Sequence, residues 1–123
     1  MAGDFRVGVS QDVVTVTHVG RLEYADTNKA IAAVADTAKK TGSRLILVDL
    51  TGADASNYYT YTVRHAEFAP ELGLDTTYRL AFVASREAVD ILEFIARVMS
   101  NHGWKARSFF SVEDAIEWLH SAG

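Results

Sequence analysis

Asp49, Thr51, Asp54 and Ser56 lie close together in "LILVDLTGADASNYYTYT" (45–62). These residue types handle phosphate, metal ions and protons. The apolar run ahead of them reads as a β-strand, and ligands of open α/β sheets gather beyond the carboxyl ends of strands. An aspartate in that place can accept a phosphoryl group beside Mg²⁺. Such chemistry needs several carboxylates around the metal to offset the phosphate charge. The same residues also have an ordinary local use. Asp49 and Thr51 can shape a turn, and Ser56 or Asn57 can cap the helix that follows.

The spacing argues against phosphoryl transfer. Phosphatases with an aspartate nucleophile carry a second aspartate two places later, where this chain has Thr51. Response-regulator receivers need an acidic pair after the first strand and a lysine after the last. Here "GVSQD" offers Asp12 alone and "SFFS" offers no lysine. A small Mg²⁺-dependent hydrolase or phosphatase using Asp49 is therefore the weakest functional reading, and no catalytic residue is assigned. His18, His65, His102 and His120 show no zinc-binding spacing. The chain has no cysteine, which removes disulfides, thiolate catalysis and Cys-ligated zinc. No Gly-rich phosphate loop or Gly-x-Ser-x-Gly elbow is present, and no base stands beside Ser56 or Ser85 in sequence. No metal and no cofactor is expected.

The aromatic residues suggest recognition instead. On a helix, at about 100° per residue, Tyr58, Tyr59 and Tyr61 spread over about 160° of arc, wider than one apolar stripe. At least one ring must then leave the core. Tyr58, Tyr61, His65 and Phe68 form a helical stripe. Phe94 and Trp118 are each displaced from the apolar stripe of their own helix. Large rings with a polar tip anchor interfaces, so Tyr58, Tyr59, Tyr61, His65, Phe68, Phe94 and Trp118 join Asp49, Thr51 and Asp54 as candidate contact residues. A homodimer is expected, with a protein partner or an apolar small ligand as the other occupants.

These residues need elements to position them. "FRVGV" (5–9) and "VVTVTHV" (13–19) alternate and predict an antiparallel hairpin. Ile31, Val34, Ala35 and Ala38 predict a helix capped by Asp26 or Thr27 and closed by Gly42. "RLILVDL" (44–50) and "YRLAFVAS" (78–85) predict adjacent buried parallel strands. Between them "SNYYTYTVRHAEFAPEL" predicts a helix ending near Pro70. Ala88, Ile91, Leu92, Ile95, Val98 and Met99 predict another, capped by Ser85 and stopped at Gly103. "KARSFF" (105–110) predicts a last strand. Ser111, with Asp114 three places on, predicts a capped final helix with Val112, Ala115, Ile116 and Leu119 inward. The order β-β-α-β-α-β-α-β-α gives an α/β sandwich, its sheet mostly parallel after the hairpin.

Composition sets the bounds. The 123 residues suit one domain (1–123) and one core. Hydrophobic residues make up 49% and charged residues 23%, as in an ordinary globular protein. The start "MAGDFRVGVS" is not a signal peptide, and no apolar run reaches bilayer length, so a cytoplasmic location without integral membrane association is expected. Twelve basic residues against sixteen acidic ones give a net charge of -4. The basic residues are dispersed along the chain, with Lys39-Lys40 the one adjacent pair, which argues against nucleic acid as a partner.

"GRLEYAD", "RLILVDLTG", "YRLAFVAS" and "KARSFFSVEDAIEWL" occur in this order across nearly the whole chain. Together they resemble the STAS fold of bacterial anti-sigma-factor antagonists. More narrowly, the chain resembles the small SpoIIAA-like family grouped with CRAL-TRIO lipid-binding domains. The resemblance implies a non-enzymatic regulatory module that binds a protein or small ligand, with an apolar-ligand carrier as the alternative. A carrier would need a cavity lined by Tyr58, Tyr61, His65 and Phe68. In the antagonist branch, a serine after the central strand is phosphorylated to break a partner interface. Ser56 in Asp54-Ala55-Ser56-Asn57 is the nearest match. It departs from that pattern by a shorter connection from Asp49, the lack of a following glycine, and the bulky Tyr58 and Tyr59.

Overall fold

The computed structural model describes residues 4–56 and 58–121. Five strands, β1 (Asp4–Ser10), β2 (Val13–Arg21), β3 (Leu45–Asp54), β4 (Arg79–Val83) and β5 (Lys105–Phe109), form one sheet in the order β1-β2-β3-β4-β5. β1 and β2 pair antiparallel, and every later neighbour is parallel. Gln11 (φ 53°) and Asp12 (φ 63°) make the tight turn between β1 and β2, both in the left-handed region that such hairpins require. The Ser43 hydroxyl donates to the Asp12 carbonyl at 2.5 Å and ties this turn to the start of β3.

Four helices cover the sheet: α1 (Tyr24–Thr41), α2 (Tyr58–Phe68), α3 (Val89–Asn101) and α4 (Val112–His120). Right-handed crossovers advancing in one direction put α1, α2 and α3 on the same face. There Val14, Val16, Ile46, Leu80 and Phe82 meet Val34, Ala38, Leu92 and Ile95 in the larger core. α4 returns across the other face, where Val13, Leu47, Ala81 and Val83 pack on Ala115 and Leu119. β3 and β4 are the expected adjacent parallel pair, with Ile46, Leu47, Leu80 and Ala81 buried. Two covered faces explain why their sequences do not alternate.

Several expectations change. α1 begins at Tyr24 after Glu23 without a side-chain cap, so neither Asp26 nor Thr27 caps it. Gly42 does close it: at φ 76° it donates its N–H to the Ala38 carbonyl, a backbone state only glycine reaches cheaply. Thr51 and Gly52 are not a turn. β3 continues through them to Asp54, because β2 runs on past a register shift between Thr17 and Val19 and supplies a partner. Ser85 makes no side-chain cap; a 3-10 turn over Arg86–Ala88 comes before α3. Phe68, at 47% exposed, and Val112, at 40%, face outward rather than into the core. The inward side of α2 is Thr62, His65 and Ala66, followed by Ala69. Ser111 does cap α4, accepting the Asp114 N–H at 3.1 Å. Among the described residues, no helix is long and apolar enough to cross a membrane.

Candidate functional site

The polar group singled out at 49–56 lies along the far end of β3 and is bonded within itself. Asp49 Oδ1 accepts the Thr51 N–H at 3.0 Å and the Thr51 hydroxyl at 2.7 Å. Asp54 Oδ1 accepts the Ser56 N–H at 3.0 Å. The Ser56 hydroxyl and N–H hold the exposed Asp54 carboxyl below the usual carboxylate range, with the Arg21 charge acting in the same sense. Ser56 is exposed, and the first amide of α2, that of Tyr58, donates to the Ala55 carbonyl at 2.8 Å. Asn57, the other proposed cap, lies outside the described residues. One carboxylate oxygen of Asp49 is thus committed to local bonds with the Thr51 N–H and hydroxyl inside β3. The described residues hold no cluster of three His, Asp or Glu able to grip a metal ion.

α2 packs on α3 rather than down onto the sheet. Beneath it lies a cavity of about 60 Å³ between the sheet, α1 and α3. Val16, Val48, Phe82 and Ile95 give it apolar walls, and Tyr58, His65, Thr27 and His18 supply polar atoms. Tyr61 and Phe68, expected to line such a cavity, do not. Tyr61 packs on the Tyr24 ring at 5.3 Å, and Phe68 turns outward because, six residues past the buried Thr62 at 100° per residue, it lies about 120° off the inward side of the helix.

His65 links two helices. It is 3% exposed; its Nε2 lies 3.1 Å from Thr27 Oγ1 of α1 and its Nδ1 lies 2.8 Å from the Tyr58 hydroxyl. The Thr27 hydroxyl already donates to the Tyr24 carbonyl at 2.9 Å, so it accepts from His65. The neutral ring then carries its proton on Nε2, and Tyr58 donates to Nδ1. Tyr24 stacks on the imidazole at 5.1 Å. Burial, with the nearby His18 adding to it, lowers the His65 pKa to about 4. Burial also lowers His18, against the pull of Asp26 and Asp49. The Tyr58 hydroxyl is pushed up by burial. Spacing did not reveal this network, because its members come from β2, α1 and α2. Thr27, Tyr24 and His18 were not among the candidate site residues; the one available hint was an imidazole on a helix stripe.

The outer surface of the α2–α3 layer carries the other tyrosine. Tyr59 is 45% exposed, and its ring packs on Phe94 at 4.8 Å. Val63, one turn along α2, is 41% exposed. Trp118 sits far from this group, on α4, between Phe109 at 5.7 Å and the Arg79 guanidinium at 4.3 Å. The structure therefore brings Tyr59 and Phe94 together, puts Tyr58 and His65 inside, and separates Trp118 from both.

No protein-family model matches the chain, and no curated protein does. Solved structures do match. The crystal structure of an anti-sigma factor antagonist from Mycobacterium paratuberculosis superposes with a TM-score of 0.69 at 14% identity, covering 98% of this chain and 96% of that one. An uncharacterized protein of the DUF3478 family with a SpoIIAA-like fold, from Shewanella loihica, gives a TM-score of 0.57 at 20% identity, covering 95% and 93%. With the strand order and the single helix on the reverse face, these likenesses show that the chain has the STAS-type, SpoIIAA-like fold.

Proposed function

We propose that this chain is a single-domain, cytoplasmic regulatory module that works by protein contact rather than catalysis. Its contact surface is the outer face of α2 and α3, and the occupant is a second copy of the chain. The observation that carries this reading is the ring pair Tyr59–Phe94, standing with Val63 on the outside of the helical layer. Asp90 and Arg97 lie one turn either side of Phe94, and Glu67 lies one turn past Val63. A rim of both signs lets the patch meet its own image across a two-fold axis without like-charge clash. The similar fold of an anti-sigma factor antagonist supports a regulatory role. Ser56 is exposed beside α2, so a phosphate there would add charge near this surface.

The test is sedimentation of the wild type, Tyr59→Ala and Phe94→Ala at micromolar concentration. A wild-type dimer that becomes a folded monomer in each variant supports the reading. A wild-type monomer overturns it.

The apolar-ligand carrier is the second reading, favoured by the cavity under α2. Its volume of about 60 Å³ is well below the ~300 Å³ at which drug-sized sites begin. An acyl chain would require α2 to move away. Native mass spectrometry of the purified protein separates the two readings: a bound lipid mass favours the carrier.

A further inference from the structure

Arg44, Arg79 and Lys105 are far apart in sequence but converge at the edge of the sheet where β3, β4 and β5 begin. Parallel strands that start in step do this. Leu45 pairs with Arg79, and Arg79 pairs with Lys105, so the row crosses three strands about 4.8 Å apart. With Thr77 and Trp118 these residues line a cleft of about 260 Å³ on the α4 side. Leu45 and Trp118 form its apolar part, and Thr77 contributes a hydroxyl.

The charges in this cleft do not balance. Arg44 Nη1 donates to the Thr77 hydroxyl and lies 3.9 Å from Asp75 Oδ1. Arg79 donates to the Ser121 carbonyl, lies 3.4 Å from the Ser121 hydroxyl, and covers the Trp118 ring. All of these Arg79 acceptors are neutral. Among the described residues, no ion pair reaches Arg79 or Lys105. Among the described residues, three cations face one carboxylate in this cleft, which leaves two positive charges unbalanced there. Like charges directly opposite on neighbouring strands destabilise a sheet. An anion between them would turn that repulsion into attraction.

We infer that this cleft binds a small phosphate monoester. At neutral pH such a group carries about -1.5 to -2 charge and three acceptor oxygens, which matches the two unbalanced cations better than a carboxylate does. Ser121 takes one N–H from each Arg79 Nη, the remaining Arg79 N–H groups suit phosphate oxygens, and Lys105 supplies a point charge. The organic part of the ester lies along Leu45 and the open edge of Trp118. This site is independent of the α2–α3 contact face.

The probe is phenyl phosphate, followed by NMR of the indole and guanidinium N–H signals, with inorganic phosphate and phenol as controls. The expected result is a saturable shift of the Trp118 indole, with the buried Trp104 indole unmoved. Phenyl phosphate should bind more tightly than inorganic phosphate, and phenol should not bind. Lys105→Gln should weaken binding about tenfold, as loss of one charge-assisted contact does. Lys105 is exposed, so this variant should melt at or slightly above the wild-type temperature, the repulsion from Arg79 being relieved, and lose the rise that the ligand causes. Arg79→Gln should weaken binding as well. Shifts that do not saturate, or that persist unchanged in Lys105→Gln, overturn the site. Equal affinity for inorganic phosphate overturns the ester assignment. A phosphorylated peptide that binds more tightly through the same residues overturns the small-molecule source and gives the cleft to a partner protein.

Discussion

Acid should loosen this fold through His65 before it protonates most carboxylates. The imidazole is buried and neutral between Thr27 and Tyr58, with a pKa lowered from 6.5 to about 4. The unfolded chain therefore binds a proton at higher pH than the folded one. Stability from this group is complete above pH 6.5 and is lost as pH falls from 6.5 toward 4. Below that, both states are protonated and nothing more is lost. Each pKa unit is worth about 1.4 kcal/mol, so the full loss is about 3 kcal/mol, of which about 2 kcal/mol is gone by pH 5. His18, also lowered by burial, adds in the same direction. Urea titrations at pH 7, 6 and 5 measure this. His65→Gln should be less stable at pH 7, because it disturbs the bonds to Thr27 and Tyr58. It should also show a clearly shallower decline from pH 7 to 5, with the remainder due to His18. A wild-type stability that is flat over this range, or an equal decline in the variant, refutes the reasoning. So does an NMR titration placing His65 near 6.5.

Three further outcomes follow from single contacts. Ser111→Ala should cost about 1 kcal/mol in a denaturant titration, since its hydroxyl accepts the Asp114 amide at 3.1 Å. Leu47→Ala should cost about 3 kcal/mol, because Leu47 is fully buried between the sheet and α4 and the space left cannot fill. Asp49→Asn should abolish no turnover, because the carboxylate is bonded to the Thr51 amide and hydroxyl; Mg²⁺-dependent phosphatase activity in the wild type that vanishes in this variant would contradict that.

The parts of the fold legible in sequence were those fixed by local signals. "LILV" and "LAFV" announce covered strands because both their faces are apolar. Ser111 and Asp114 announce α4 because a cap is a contact three residues long. The misread parts depend on a distant partner. "TGAD" has turn chemistry, yet it stays extended because β2 continues beside it past the shift at His18. Phe68 has an apolar ring and a plausible stripe position, but α2 rests on α3 and turns that ring to solvent. The site residues divide in the same way. The angular spread of Tyr58, Tyr59 and Tyr61 required one ring to leave the core, and Tyr59 is the ring at the surface. Periodicity could not reveal that Thr27 would meet His65, or that Arg79 and Lys105 would pair at strand starts with Arg44 beside the same cleft. Those meetings belong to the topology.

The most direct test of self-association through α2 and α3 is an isotope-filtered NOE experiment on a mixture of labelled and unlabelled chains. Contacts between copies are expected from the ring protons of Tyr59 and Phe94 and the methyl groups of Val63, and none from Trp118. Contacts between copies through α4 or β1 alone, or no contacts between copies at millimolar concentration, would contradict self-association through this face.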